Sequence, residues 1–313
     1  MQKETKPESS TTVKREVTAA RGERRGASQW AVAWRRFRRN KAGLAGLFIV
    51  LFFVFIALTS TWLAPYPSRS FQALYEGEAG QPPSWKHPFG TSRAGLDIYS
   101  EVLHGTRGDL YVGVGATVVA ILIGMVIGAV AGYSRGAGSD VLLMLSQVFY
   151  TIPLLPLILL FARVFSILVA QGFGLTLILL LLGVFGWSSI SFIVRGEILR
   201  VRELEFVQAS RAIGASKFRI IFRHIVPNIL TPIIITATLF IAGNILTEVV
   251  ISFLGFGDVN TSTWGITIQE GITYMRTEWW TPVFPGLATL LAVLGFNLVG
   301  DGLSDALNPR LRD

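Results

Sequence analysis

The sequence predicts an all-α polytopic membrane protein with six transmembrane helices. Of its 313 residues, 51% are hydrophobic and only 15% are charged, which is less charge than a soluble domain carries. Because about 20 apolar residues in a helix cross the ~30 Å hydrocarbon core of a bilayer, long runs without charge identify the spans. Six such runs lack Asp, Glu, Lys and Arg: 43–62, 110–133, 141–162, 173–194, 225–247 and 281–300.

The chain before the first span is polar and basic. Residues 1–28 are rich in Lys, Glu, Ser, Thr and Arg without an apolar period, and they are expected to form a disordered cytoplasmic tail. Residues 29–42 mix Trp30, Trp34 and Phe37 with arginines, which predicts a basic and aromatic helix at the membrane interface. The first transmembrane helix, 43–63, has no small-residue cleavage site, so we expect a retained anchor.

The remaining segments follow from the other uncharged runs. Residues 64–108 are proline-rich and are expected to form an extracytoplasmic loop. Residues 109–304 contain five spans and a polar hairpin at 200–226, and residues 305–313 form a second cytoplasmic tail. Prolines 153 and 156 should kink the third span. Glycines at positions 124, 128 and 132 of the second span have the spacing that allows close helix packing.

The positive charges predict the orientation. Twenty-two of the 28 Lys and Arg residues fall in the N-terminal segment, the 195–228 segment, the turn after the second span or the C-terminal tail. Since Lys and Arg concentrate on the cytoplasmic side of a membrane, both termini and the hairpin are expected inside. The net charge of +8 is therefore membrane-surface charge, and no basic groove predicts binding to nucleic acid.

Several kinds of chemistry are excluded by the residues present. The chain has no Cys, and its three His residues are scattered, so a zinc site is not expected. No Lys follows a Gly anywhere, so the phosphate-binding Walker A loop is absent. We therefore expect neither an enzyme nor a cofactor of its own in this chain.

A two-helix pattern fills residues 205–228, hereafter the hairpin segment. Gly214 is suited to the positive φ that ends a helix, and Ser216 can cap the next one. Apolar residues recur at helical spacing on both sides of the break: Phe206, Ala209, Ile213, then Phe218, Ile221, Phe222 and Ile225. Such an apolar stripe needs something to pack against, and a partner protein would satisfy it.

The hairpin segment resembles the cytoplasmic coupling loop of ABC-importer permeases. That pattern is Glu-Ala-Ala, three residues, Gly, nine residues, then Ile-x-Leu-Pro. Here Gln208, Ala209 and Ser210 are followed at the same spacing by Gly214 and by 224–227. The departures from the pattern are Gln208 for Glu, Ser210 for Ala, His224 for Ile and Val226 for Leu. Strings at 87–107, 252–257, 279–286 and 296–310 also resemble the peptide-importer branch, as do Arg211, His224 and Asn228.

The resemblance implies a type I ABC importer-like transmembrane domain, the second or C-type permease of the dipeptide/oligopeptide (peptide/nickel) branch. Implied partners are a paralogous permease, two ATP-binding subunits that hold ATP and magnesium, an extracytoplasmic substrate-binding protein and membrane lipids. The location would be a prokaryotic inner membrane. Nickel chelates, glutathione and oligosaccharides are alternative substrates. The residues implied to contact the ATPase are Glu205, Gln208, Ala209, Ser210, Arg211, Gly214, Ala215, Ser216, Arg219 and His224.

Two residues are candidates for the translocation pathway. Gln147 lies six residues before Pro153, where the family often has Asp. Glu248 is an ionisable group beside apolar helix, which makes it a candidate for a functional role. The preferred alternative is a position at the outer interface, in water or paired with a neighbour, because the 19 uncharged residues that separate it from Asn228 nearly span the core. A secondary transporter or channel is the alternative function, but it would usually contain more buried ionisable groups and an internal repeat. A membrane scaffold would leave the hairpin segment unexplained.

Overall fold

The computed structural model describes residues 29–69, 79–134 and 136–307, so the expectations for 1–28 and 308–313 lie outside the described residues. Its helices are α1 Gln29–Phe37, α2 Lys41–Leu63, α3 Ile98–Tyr133, α4 Ala137–Thr151, α5 Leu154–Val164, α6 Gly174–Arg202, α7 Glu205–Ala212, α8 Lys217–Ile220, α9 Val226–Ile251, α10 Trp264–Ile272 and α11 Trp280–Leu307. A single turn at Ser166–Leu168 precedes α6, and π turns occupy Val169–Phe173, Ile221–Ile225 and Ser252–Phe256.

The helical stretches match the expected membrane spans. Among the described residues, five are long and apolar enough to cross a membrane alone, and α4 with α5 makes a sixth when the bent pair counts as one span. The all-α polytopic fold is therefore confirmed. The α3, α6 and α9 helices meet near the hairpin segment at the end we call the hairpin end, where Tyr133, Arg202 and Val226 lie. The opposite end carries α10 and the start of α3.

The third span is broken more sharply than a simple kink. Between α4 and α5 the axis turns by 78°. Ile152 and Pro153 have extended backbones with ψ of 125° and 103°. Proline cannot donate to the helical ladder and disfavours the helical conformation of the residue before it, which explains the break at this point.

The second span begins earlier than its uncharged run. Asp97 caps α3 by accepting hydrogen bonds from the backbone N and the side-chain hydroxyl of Ser100, both at 2.8 Å. Residues 98–108, which we expected in the extracytoplasmic loop, are therefore helical. The charged residues Glu101 and Asp109 lie inside this helix, so a search for uncharged runs excludes its first turns. At 36 residues, α3 is about 54 Å long and exceeds the thickness of a bilayer core.

Glycines bring α3 and α6 close together. A Cβ atom added to Gly124 would lie 2.6 Å from Cβ of Ile190, and one added to Gly128 would lie 2.6 Å from the carbonyl oxygen of Ser191. A Cβ on Gly132 would lie 3.0 Å from that of Ile198. The close packing predicted from the glycine spacing is confirmed, because no larger side chain fits along this line.

Candidate functional site

The first helix of the hairpin segment ends in a complete Schellman motif. The backbone N–H of Ala215 donates to the carbonyl of Ser210 at 3.1 Å, and that of Gly214 donates to the carbonyl of Arg211 at 3.0 Å. Gly214 has φ of +80°, the left-handed conformation that this motif requires at its first residue past the helix. Gly214 therefore turns the chain sharply out of α7, as its position in the sequence predicts.

The second helix is capped and then continues into the membrane span. The Ser216 hydroxyl accepts from the backbone N of Arg219 at 3.3 Å, which confirms the predicted cap. The π turn Ile221–Ile225 leads directly into α9, near Pro227, which has no N–H for the helical ladder. The Asn228 amide donates to the carbonyl of His224 at 2.6 Å and satisfies one acceptor in this turn.

One face of the hairpin segment packs into the bundle. Val207, Ile220 and Ile225 are fully buried. They belong to a contiguous core, hereafter the hairpin-end cluster, that joins α3, α6, α7, α8 and α9: Ala120, Ile190, Val194, Ile198, Val201, Val207, Ile220, Ile225, Ile229 and Ile233. The segment is thus attached to three spanning helices, α3, α6 and α9, through side-chain packing, and movement of the segment should move them.

The opposite face is apolar and exposed. Ile213 is 85% exposed, Phe218 71%, Phe222 58% and Phe206 42%. The rings of Phe218 and Phe222 lie 4.4 Å apart and form one patch. These four residues, with the exposed polar side chains of residues 205–222, are called the hairpin surface. The sequence predicted a single apolar stripe, and this prediction is wrong in detail, because the segment has one buried and one exposed apolar face. Helical spacing alone does not distinguish the two faces.

The residues implied to contact the ATPase divide between these environments. Ser210, Ala215 and His224 are partly buried. The others lie on the exposed side: Glu205, Gln208, Ala209, Arg211, Gly214, Ser216 and Arg219. In the sequence they alternate with the exposed apolar residues Phe206, Ile213 and Phe218.

Local polar contacts orient α7 against the bundle. The Gln208 amide nitrogen donates to the carbonyl of Arg202 at 3.2 Å and to the carboxylate of Glu203 at 3.3 Å. A glutamate at this position has no N–H to make either contact, so Gln208 gives this chain a link between α7 and the end of α6. The guanidinium of Arg211 lies 5.9 Å from the ring centroid of Tyr133, which links α7 to the end of α3.

The two pathway candidates lie in contrasting places. Gln147 is exposed on α4. Glu248 is completely buried, and it accepts a hydrogen bond from the Ser252 hydroxyl at 2.6 Å. It lies beside Asp109, which in turn accepts from the backbone N of Trp264 at 3.0 Å. In this structure Glu248 presents no surface to a pathway and instead joins α9 to α3 and α10.

An ion-pair network lies at the opposite end of the molecule, and it was not predicted from the sequence. Nε of Arg69 lies 2.7 Å from Glu101, and its two terminal nitrogens lie 2.6 Å from the two oxygens of Glu270. Burial alone lowers the pKa of Arg69, but its hydrogen bonds and the charges of Glu270 and Glu101 outweigh this effect and raise the pKa above its ordinary value. The network ties the segment after α2 to α3 and α10. Because its members are far apart in the chain, only the fold brings them together.

Two family models match this chain. Residues 124–313 match the model described as the binding-protein-dependent transport system inner membrane component. The chain belongs to this family. It is a permease subunit of an ABC importer, and residues 28–83 also match the N-terminal TM domain of oligopeptide transport permease C. The predicted resemblance to C-type permeases of the peptide branch is confirmed, and these matches do not favour a secondary transporter or channel.

Individual relatives cover most of this permease. It is 38% identical to the dipeptide transport system permease protein DppC of Bacillus subtilis over 282 residues, which is 90% of this chain and 85% of that protein. It is 33% identical to the oligopeptide permease OppC of the same organism, covering 91% of each chain. The glutathione transport system permease protein GsiD of Pectobacterium atrosepticum is 32% identical, over 90% of this chain and 92% of that protein.

Proposed function

We propose that this permease forms half of a peptide pathway across a prokaryotic inner membrane and that ATPase subunits drive it by docking on the hairpin surface. The observation that carries the proposal is the two-faced hairpin segment. Its inner face is buried in the hairpin-end cluster, while its outer face leaves Ile213, Phe218 and Phe222 open. Exposed aromatic and aliphatic side chains of this kind are typical anchors of protein interfaces.

The chain's own residues transmit motion and do not hydrolyse nucleotide. ATP and magnesium belong to the partner subunits, since this sequence has no Gly-Lys pair for a phosphate loop. When the ATPases close, they displace the hairpin segment. Val207 and Ile220 then carry the displacement to α6 and α9, which share the hairpin-end cluster. The two spans tilt as a unit, and the population shifts between inward- and outward-facing states.

The orientation in this proposal follows from charge. Twenty-two of the 28 Lys and Arg residues belong to segments at the hairpin end or to the two termini, and this bias supports a cytoplasmic location for that end. The opposite end, with the Arg69 network and α10, then faces the extracytoplasmic binding protein. A paralogous permease would complete the pathway, with the exposed face of α4 as a candidate contact or lining.

Di- and oligopeptides are the proposed substrates. The relatives named above are a dipeptide, an oligopeptide and a glutathione permease, and all three names denote molecules with peptide bonds. Nickel chelates and oligosaccharides contain no peptide bonds of this kind and are the less favoured substrates.

Uptake by the complete system tests the proposal. In cells lacking other peptide importers, the importer containing this chain should take up a labelled dipeptide, and deletion of either this chain or the ATPase should abolish uptake. Labelled glutathione and nickel chelate serve as comparison substrates. Dipeptide uptake that persists without the ATPase would contradict ATP coupling, and uptake of nickel chelate alone would contradict the peptide assignment.

A further inference from the structure

Exposed arginines cluster at the end of α1. Arg35, Arg38 and Arg39 are exposed, and no ion pair within 29–69, 79–134 and 136–307 includes them. They line a cleft of about 330 Å³ together with Ala31 and Trp34. Three like charges this close together repel one another, and an anion in the cleft would relieve that repulsion.

The cleft is held in place by packing. Ala33 and Phe37 form the buried face of α1. The Phe37 ring lies against Gly43 of α2 and Gly302 of α11, where an added Cβ would approach it to 3.0 Å on either glycine. α1 is therefore held beside the first turn of α2, and its arginines belong to the segment that precedes the span Lys41–Leu63.

A nearby acidic residue, Asp305, contacts Asn40. The Asn40 side chain accepts from the backbone N of Gly43 at 2.9 Å and donates to the carboxylate of Asp305 at 3.0 Å. Asp305 thus secures the junction of α1, α2 and α11. Within the part of the chain that the structure describes, it forms no salt bridge with the three arginines. The positive cluster remains available to an outside anion.

The cleft is lined by both charged and aromatic side chains, and this combination favours a phospholipid headgroup over a soluble phosphate. Guanidinium groups bind phosphate oxygens in paired hydrogen bonds. Trp34 is 53% exposed in the same cleft, and Val32 is 38% exposed on the same helix. A tryptophan at a membrane boundary favours the headgroup region, where its apolar body contacts lipid. A soluble phosphate would use the arginines only, whereas a phospholipid would use both kinds of surface.

We propose that the cleft of Trp34, Arg35, Arg38 and Arg39 is a binding site for the headgroup of an anionic phospholipid. The site lies on α1 and is separate from the hairpin surface. Its test therefore does not depend on whether the ATPase docks on the hairpin surface. Its occupant would bridge α1 to the bilayer beside the first span. Since α1 packs on both α2 and α11, bound lipid would also hold the starting positions of these helices.

Lipid titration of the purified full chain tests the site. In detergent, fluorescent phosphatidylglycerol should bind saturably, and phosphatidylcholine should not compete. Because each basic residue near an anionic surface contributes about 1 kcal/mol, the triple variant Arg35→Gln/Arg38→Gln/Arg39→Gln should weaken binding on the order of 100-fold. The control Lys217→Gln/Arg219→Gln/Arg223→Gln removes the same charge from the same end and should change affinity by less than about twofold, well below the effect expected of the triple variant.

Two further measurements decide between a lipid site and simple charge attraction. Trp34→Ala leaves the net charge unchanged and should still weaken phosphatidylglycerol binding severalfold, with an unchanged thermal midpoint. Equal losses in the two triple variants would show general charge attraction and overturn the proposal. So would displacement of the lipid by inorganic phosphate at comparable concentration, because the occupant would then be a soluble anion.

Discussion

The two faces of the hairpin segment should separate stability from partner binding. Ile220 is 1% exposed in the hairpin-end cluster, whereas Phe218, two residues earlier, is 71% exposed. Both occur in α8 and both can be shortened to alanine. The buried truncation should weaken the attachment of the segment, and the exposed one should weaken docking alone.

The magnitudes follow from burial. Ile220→Ala removes side-chain carbons from a filled core and should cost about 2–5 kcal/mol of local stability. Phe218→Ala removes a mostly solvated ring, and its effect on stability should stay within about 0.5 kcal/mol. If the ATPase buries that ring as an anchor, the loss should be at least about 2 kcal/mol of binding, or roughly 30-fold in affinity.

Two assays on the same purified variants measure these quantities. Hydrogen exchange of the amides in 205–225 reports local opening, and titration with the ATPase subunit reports affinity. Ile220→Ala should accelerate exchange, and Phe218→Ala should leave exchange unchanged while lowering affinity. Equal acceleration in both variants would refute the assignment of faces. Unchanged affinity in Phe218→Ala would refute docking through the exposed rings.

Three further predictions concern topology, helix packing and the buried acidic pair. In cells, Ser216→Cys should react with thiol reagents only from the cytoplasm and Ser84→Cys only from outside; the reverse pattern would contradict the charge-based orientation. Gly128→Val should lower the thermal midpoint, at a cost of about 1–3 kcal/mol, because even a Cβ would lie 2.6 Å from a carbonyl oxygen of α6. Gly138→Val, with no atom within 4 Å of the added Cβ, is the control, and equal losses would contradict close α3–α6 packing. Glu248→Gln removes one of two adjacent buried acids and should keep the midpoint, whereas Glu248→Ala should lower it; equal losses would show that charge and not packing dominates there.

Features encoded within one short stretch of chain are predictable from the sequence. The uncharged runs predicted the spans, and Pro153 predicted the break in the third one. The glycine spacing of α3 predicted that this helix packs closely against a neighbour. The cap at Ser216 and the turn at Gly214 were also predictable, because each depends on the backbone within a few residues.

Features that depend on which helices become neighbours were not predictable. Helical spacing shows that both Phe218 and Ile225 are apolar at regular positions, but only the packing of α9 shows that Ile225 is inside and Phe218 is outside. The same reason explains Glu248: its partner Asp109 belongs to another helix, so the sequence could not distinguish burial from a pathway role. The Arg69 pairs with Glu101 and Glu270 are likewise created by the fold.

Cross-linking from the hairpin surface tests the central claim most directly. The chain has no native cysteine, and Ile213 is 85% exposed, so Ile213→Cys places one thiol at the tip of the proposed interface. In the assembled importer this thiol should cross-link to the ATPase subunit, with a yield that changes between nucleotide-free and ATP-bound states. Ser84→Cys at the opposite end should give no such product. If Ile213→Cys forms no cross-link to the ATPase in any nucleotide state, the hairpin surface is not the site of coupling.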